Sequence, residues 1–133
     1  MRVRRRPALL GAVTLACLAA LAMPAVAAKP GMTVKIPASQ DVDRVYVLAA
    51  VHQKHCSLQV KGSVLGHRFK GFRKSSVTIH LTNQAFLRLS SSAKRSVKKA
   101  LRRGKTVRAK VTVTARNKSG TSNRVTRSVT LKD

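Results

Sequence analysis

The residues able to do chemistry are few. His52-x-x-His55-Cys56 sets two imidazoles and a thiol close together in the chain. Imidazole nitrogen and thiolate sulfur suit zinc or copper, and a strand end or turn could bring His52 and His55 together. No fourth ligand accompanies them, since His67 and His80 lie elsewhere. His52, His55 and Cys56 are therefore weak metal candidates. The plainer reading of Cys56 is a buried, inert thiol, with pairing to a partner as the other option. Haem attachment is excluded, because it needs a second Cys before the His. Cys56 beside His52 or His55 supplies two parts of a nucleophilic site, but such a site also needs an orienting acid. The only acids are Asp41, Asp43 and Asp133, and the chain has no Glu. Asp41 and Asp43 read more simply as caps of the turn before the strand at Val45. No nucleophile elbow or phosphate-cradling glycine loop is present. The expectation is a non-enzyme with no cofactor and no small-molecule substrate.

What the chain has in excess is positive charge: 28 Lys and Arg against 3 acids, a net +25 over 133 residues. Like charges at helical spacing, such as Lys94/Lys98, Lys98/Arg102 and Lys99/Arg103, repel one another. A bound polyanion would relieve that repulsion, although a basic surface can also serve solubility alone. Gly66-His67-Arg68-Phe69-Lys70-Gly71-Phe72-Arg73-Lys74 interleaves aromatics with cations, as nucleic-acid binders do. Lys70-Gly71-Phe72 opens like the RNP1 pattern of RNA-recognition motifs but departs from it at Arg73 and Lys74. A loop whose phenylalanines plug one end of the fold accounts for the same residues.

The first 28 residues read as a leader. Arg2, Arg4, Arg5 and Arg6 precede an uncharged run from Pro7 to Ala28, and Ala25-Val26-Ala27 provides the small-x-small exit of a secretory signal peptide. The run is also long enough to span a bilayer, but Pro24 and its Ala-rich end favour cleavage. Export by the general route predicts a secreted or cell-envelope-associated protein. Removing those four arginines leaves 24 Lys and Arg against 3 acids, a net +21. Cys56 is then the sole cysteine, so no internal disulfide can form.

The remaining segments must position these residues. Residues 29–43 hold Pro30, Gly31 and Pro37 and read as a linker with an edge strand from Thr33 to Ile36; residues 44–133 form the domain proper. Val45 to Val51 is apolar at both parities, which predicts a strand covered on both faces or a short buried helix. Ser57 to Lys61 and Ser76 to Thr82 alternate as half-buried strands do, with a further short strand near Val64-Leu65 and Phe69 or Phe72. Ser91-Ser92 opens a helix from Ala93 to Arg103 that Gly104 stops. Ala93, Val97, Ala100 and Leu101 share one arc of that helix, with Lys94, Arg95, Lys98, Lys99, Arg102 and Arg103 opposite. Thr106 to Arg116 alternates without a break. After the turn Asn117-Lys118-Ser119-Gly120, Arg124 to Leu131 returns antiparallel.

The tract from Leu81-Thr82 through Ser91…Leu101-Arg-Arg-Gly104, the Val107–Arg116 strand, the Gly120 turn and Val129-Thr-Leu131 resembles immunoglobulin-like or fibronectin-like modules of secreted proteins from high-GC bacteria. The resemblance covers roughly Val45 to Lys132. It implies an all-β, antiparallel β-sandwich with one short amphipathic helix, and it implies no catalysis. Related modules often carry two cysteines around the second-to-third strand turn, where this chain has Cys56 alone. Together these readings predict a non-catalytic module whose helix cations, with Arg108, Lys110 and Arg116, contact a polyanion by charge. An anionic envelope polymer or lipid headgroups are the expected partners, and nucleic acid would be bound without specificity. A structural role in docking another protein is the first alternative, and a metal-handling exported protein using His52, His55 and Cys56 the second.

Overall fold

The structure, a computed structural model, describes residues 28–133. The expected leader therefore lies outside the described residues, apart from Ala28. The strands run in order β1 (Met32–Lys35), β2 (Ser39–Asp41), β3 (Val45–Val51), β4 (Cys56–Val64), β5 (His67–Arg68), β6 (Phe72–Val77) and β7 (Thr82–Leu87). The helix α1 (Ser91–Arg102) follows, then β8 (Val107–Arg116) and β9 (Ser122–Lys132). They form two sheets, a three-stranded one of order β1-β3-β7 and a six-stranded one of order β2-β9-β8-β4-β5, with β6 also paired to β4. All pairings are antiparallel except β2 with β9. Among the described residues the fold is all-β with one helix.

Alternation built the longest strands. Val107, Ala109, Val111, Val113 and Ala115 of β8 all turn inward, facing Val45, Val47, Ala49 and Val51 of β3 in one apolar core. β-branched side chains suit this pleated, half-buried setting. Phe69 is the one fully buried aromatic ring, and it fits because Gly62 has no side chain: a Cβ there would lie 3.0 Å from the ring. The phenylalanine-plug reading of the 66–74 loop describes Phe69, whereas Phe72 is half-buried. Gly71 permits a closer approach still, since a Cβ on it would meet the Val60 carbonyl oxygen at 2.6 Å.

The helix begins where serine can cap it. Ser90 is the N-cap, its Oγ accepting the Ala93 N–H at 3.3 Å, one residue ahead of the expected Ser91 start. Gly104, at φ +77°, ends it in the left-handed conformation glycine tolerates. Ala93 and Val97 are buried, with Ala100 and Leu101 packed half-buried beside them.

Three expectations need correcting. Ser76 to Thr82 is not one strand: β6 ends at Val77 and β7 starts at Thr82, with a turn closed by Leu81 N–H donating to Thr78 O at 3.2 Å. His80 adopts φ +64° there and Leu81 points to solvent, so their apolar alternation is incidental. β3 is covered on one face only, because Tyr46 and Leu48 stay half-exposed on the outer side of the smaller sheet. The stretch read as a linker with one edge strand supplies two: β1, close to the expected Thr33 to Ile36, joins one sheet, and β2 joins the other.

That crossing depends on Gln40, a buried polar residue. Its amide accepts the Tyr46 N–H at 2.8 Å and donates to Tyr46 O at 3.0 Å and Pro37 O at 3.2 Å. The side chain thus stands in for a backbone partner at the point where the first strand leaves β3. Leaving buried backbone groups unpaired costs about 1–3 kcal/mol each. Gln40→Ala is expected to destabilise the protein by about 2–4 kcal/mol in urea unfolding, more than an exposed Gln84→Ala control.

Candidate functional site

The nine cations expected to form one surface fall into two groups. Six lie on α1. Lys94 Nζ and Lys98 Nζ each reach an Asp43 carboxylate oxygen at 3.1 Å, while Lys98 and Arg102 approach Asp133 at 3.8 Å. Asp41 alone caps the turn, accepting the Asp43 N–H at 2.8 Å, so the expectation that both aspartates are caps is half right. Asp43 and Asp133 instead hold the helix against the sandwich. The hydrogen bonds from Lys98 and then Lys94 hold the Asp43 carboxyl below the usual carboxylate range, and the same contact pushes Lys98 up. Among the described residues, Arg95, Lys99 and Arg103 are the helix cations outside any ion pair.

Arg108, Lys110 and Arg116 lie elsewhere, on the outer face of the six-stranded sheet. Register sets their neighbours. Lys110 stands opposite Ser63 of β4 and Ser128 of β9, and Arg116 opposite Ser57 and Ser122. Gln59 lies between Thr114 of β8 and Arg73 of β6. Two open grooves lie on this face. One groove, of about 620 Å³, runs between Lys110 and the β5–β6 segment; a second, of about 450 Å³, runs between Arg73 and Arg124. They share Gln59, Lys61, Arg73 and Thr112, and no carboxylate lines either. Ser57, Gln59, Thr112 and Thr114 are half-buried along the floor, while Lys61, Arg68, Arg73, Lys110, Arg116 and Arg124 are exposed around them. The sequence pointed to Lys110 and Arg116, and to Arg68 and Arg73 within the 66–74 tract of aromatics and cations, but not to Lys61 or Arg124. The available signal was the parity of the outward positions on β4, which matches the polar parity of β8.

The metal candidates are not brought together. Cys56 is fully buried, and burial pushes its thiol up, away from the reactive thiolate. Its sulfur faces Gln53 Oε1 at 3.8 Å and Lys54 O at 3.7 Å. His55 lies exposed in the turn at φ +60°. His52 turns the other way, its Nδ1 2.8 Å from Nδ1 of His80 and its Nε2 2.6 Å from Thr33 Oγ1. Among the described residues, no three His, Cys, Asp or Glu side chains are grouped to hold a metal ion, and no helix is long and apolar enough to cross a membrane. No protein-family model matches the chain, and none of the curated proteins matches it.

The clamp on the helix gives a pH dependence with a definite sign. Asp43 binds its proton less readily folded than unfolded, so its contribution is complete above the ordinary carboxylate range. It is lost as pH falls through the lowered folded value. Asp43→Asn should therefore lower the melting temperature at neutral pH, with the two proteins converging as acid protonates Asp43. Melting curves from about pH 2 to about pH 7 check this. A constant gap across that range would remove the ion pairs from the account.

Proposed function

We propose that this chain is a secreted, non-catalytic, immunoglobulin-like module that binds a polyanion through charge. The strand order supports the immunoglobulin-like part. β1, β3 and β7 correspond to strands A, B and E, and β4, β8 and β9 to C, F and G. The first strand continues into the opposite sheet as β2, parallel to the last. The Arg-rich start and small-residue exit of residues 1–28 support export. One observation carries the binding reading: 24 cations face 3 carboxylates, of which Asp43 and Asp133 pair with Lys94, Lys98 and Arg102 only. The other cations have no carboxylate partner among the described residues, so an external anion is their available counter-charge.

Such binding draws its free energy from counterion release, which makes it steeply salt-dependent. With about six contacts, affinity should fall by about 10³-fold or more between about 50 and about 500 mM salt. Titration of an anionic polymer across that series checks it, and an unchanged affinity would overturn the reading.

A second reading, a protein-docking module, is favoured by the outer face of the smaller sheet. Tyr46 packs against Phe86 with ring centroids 6.4 Å apart, Phe86 is 46% exposed, and Leu48 is half-exposed beside them. A partner seated there would be retained at high salt, so the same series separates the two readings.

A further inference from the structure

We infer that the grooved outer face of the six-stranded sheet is the binding site, and that its ligand is a single linear acidic polysaccharide. The inference rests on the polyanion reading above and specifies where it acts and on what. The groove combines two chemistries in separate places. Its floor is neutral and hydrogen-bonding, from Ser57, Gln59, Thr112 and Thr114, and its walls are cationic. A chain of sugars carrying carboxylate or sulfate groups presents the complement, hydroxyls along its length and charges at its edges. Thr112 shares a hydrogen bond with Thr126 of β9 at 3.2 Å, which ties one floor hydroxyl to the neighbouring strand. Lys110 and Arg116 are six residues apart on β8, about 20 Å at about 3.4 Å per residue. The joined grooves thus hold an extended segment rather than a single small ion.

The shape argues against the other polyanions. A bilayer surface is flat and would touch the wall cations without reaching the floor. A duplex is read by an element that enters its groove, whereas here the protein supplies the groove. Single-stranded nucleic acid is gripped by exposed aromatic rings on which bases stack. The aromatics that line this groove are Phe69, buried in the core, and Phe72, half-buried at one rim. That leaves Phe72 to contact one sugar face and provides no platform for successive bases. The helix stands apart, since its carboxylate partners lower the local positive charge that the groove keeps undiluted.

The test titrates the protein with polygalacturonate, neutral dextran, oligo(dT) and phosphatidylglycerol vesicles at low salt. Two charge reversals are compared, Arg73→Glu with Lys110→Glu in the groove, and Arg95→Glu with Lys99→Glu on the helix. A third variant, Thr112→Val with Thr114→Val, removes two floor hydroxyls without altering charge and keeps β-favouring side chains. The groove reversal should weaken polygalacturonate binding by about thirtyfold or more and the helix reversal by less than about threefold. The threonine variant should cost about fivefold for polygalacturonate and leave any oligo(dT) binding unchanged. Equal losses from both reversals would overturn the groove while leaving polyanion binding standing. Preference for oligo(dT) or for vesicles would overturn the polysaccharide assignment. Absence of binding to every anionic probe would overturn the polyanion reading itself.

Discussion

Two carboxylates pair with cations of α1 and, in doing so, decide which surface of this molecule is left bare. Asp43, in the turn before β3, and Asp133, at the end of β9, both reach the cations of α1. Exposed ion pairs contribute little each, and the burial of Ala93 and Val97 supplies most of the attachment. The pairs matter for another reason. With 3 acids in the chain, any carboxylate committed to the helix is unavailable elsewhere. Among the described residues, the cation row of α1 is therefore the place where repulsion is relieved from within, and the sheet face that carries Gln59 and Thr112 keeps its charge uncompensated.

The groove is a product of how the strands are held. Gln40 lets the first strand change sheets without stranding the backbone of Tyr46, so that β2 can pair with the end of β9. On the other side, Gly71 brings the start of β6 within touching distance of Val60. That close approach sets Arg73 beside Gln59. The register of β4 against β8 then lines Gln59 with Thr114 and Lys61 with Thr112. A one-residue slip in either pairing would send these polar side chains into the core, and the valines of β8 forbid it.

The fold was legible wherever a single local signal sufficed. Val107 to Ala115 alternates without exception, Gly104 and Gly120 mark two chain reversals, and the apolar arc of the helix packs as its spacing implies. Where pairing partners are distant in the chain, the reading failed. β2 is three residues long and polar at both ends, and its existence depends on Thr130, Leu131 and Lys132. Val77, Ile79 and Leu81 alternate through a turn because periodicity carries no information about the backbone at His80. The surface proposed to bind divides in the same way. Helix cations can be counted from spacing, but whether they are free depends on Asp43 and Asp133, which arrive from other parts of the chain. The groove was hidden for a related reason, since its walls come from five strands and no stretch of sequence contains more than two of its cations in alternation.

This division bears on what a basic protein can recognise. Net charge draws in any polyanion and discriminates among them poorly, because the attraction depends on charge density and is weakened alike for all by salt. Discrimination needs groups whose benefit depends on what lies between the charges. Along β4 and β8 those groups are neutral, half-buried and flanked by cations. A ligand that fits only the walls leaves the floor hydroxyls facing whatever it brings, and displaced water is not replaced by equivalent hydrogen bonds. A ligand that also satisfies the floor keeps those bonds. Selectivity in this molecule would then reside in Thr112, Thr114, Gln59 and Ser57, and affinity in the arginines and lysines around them.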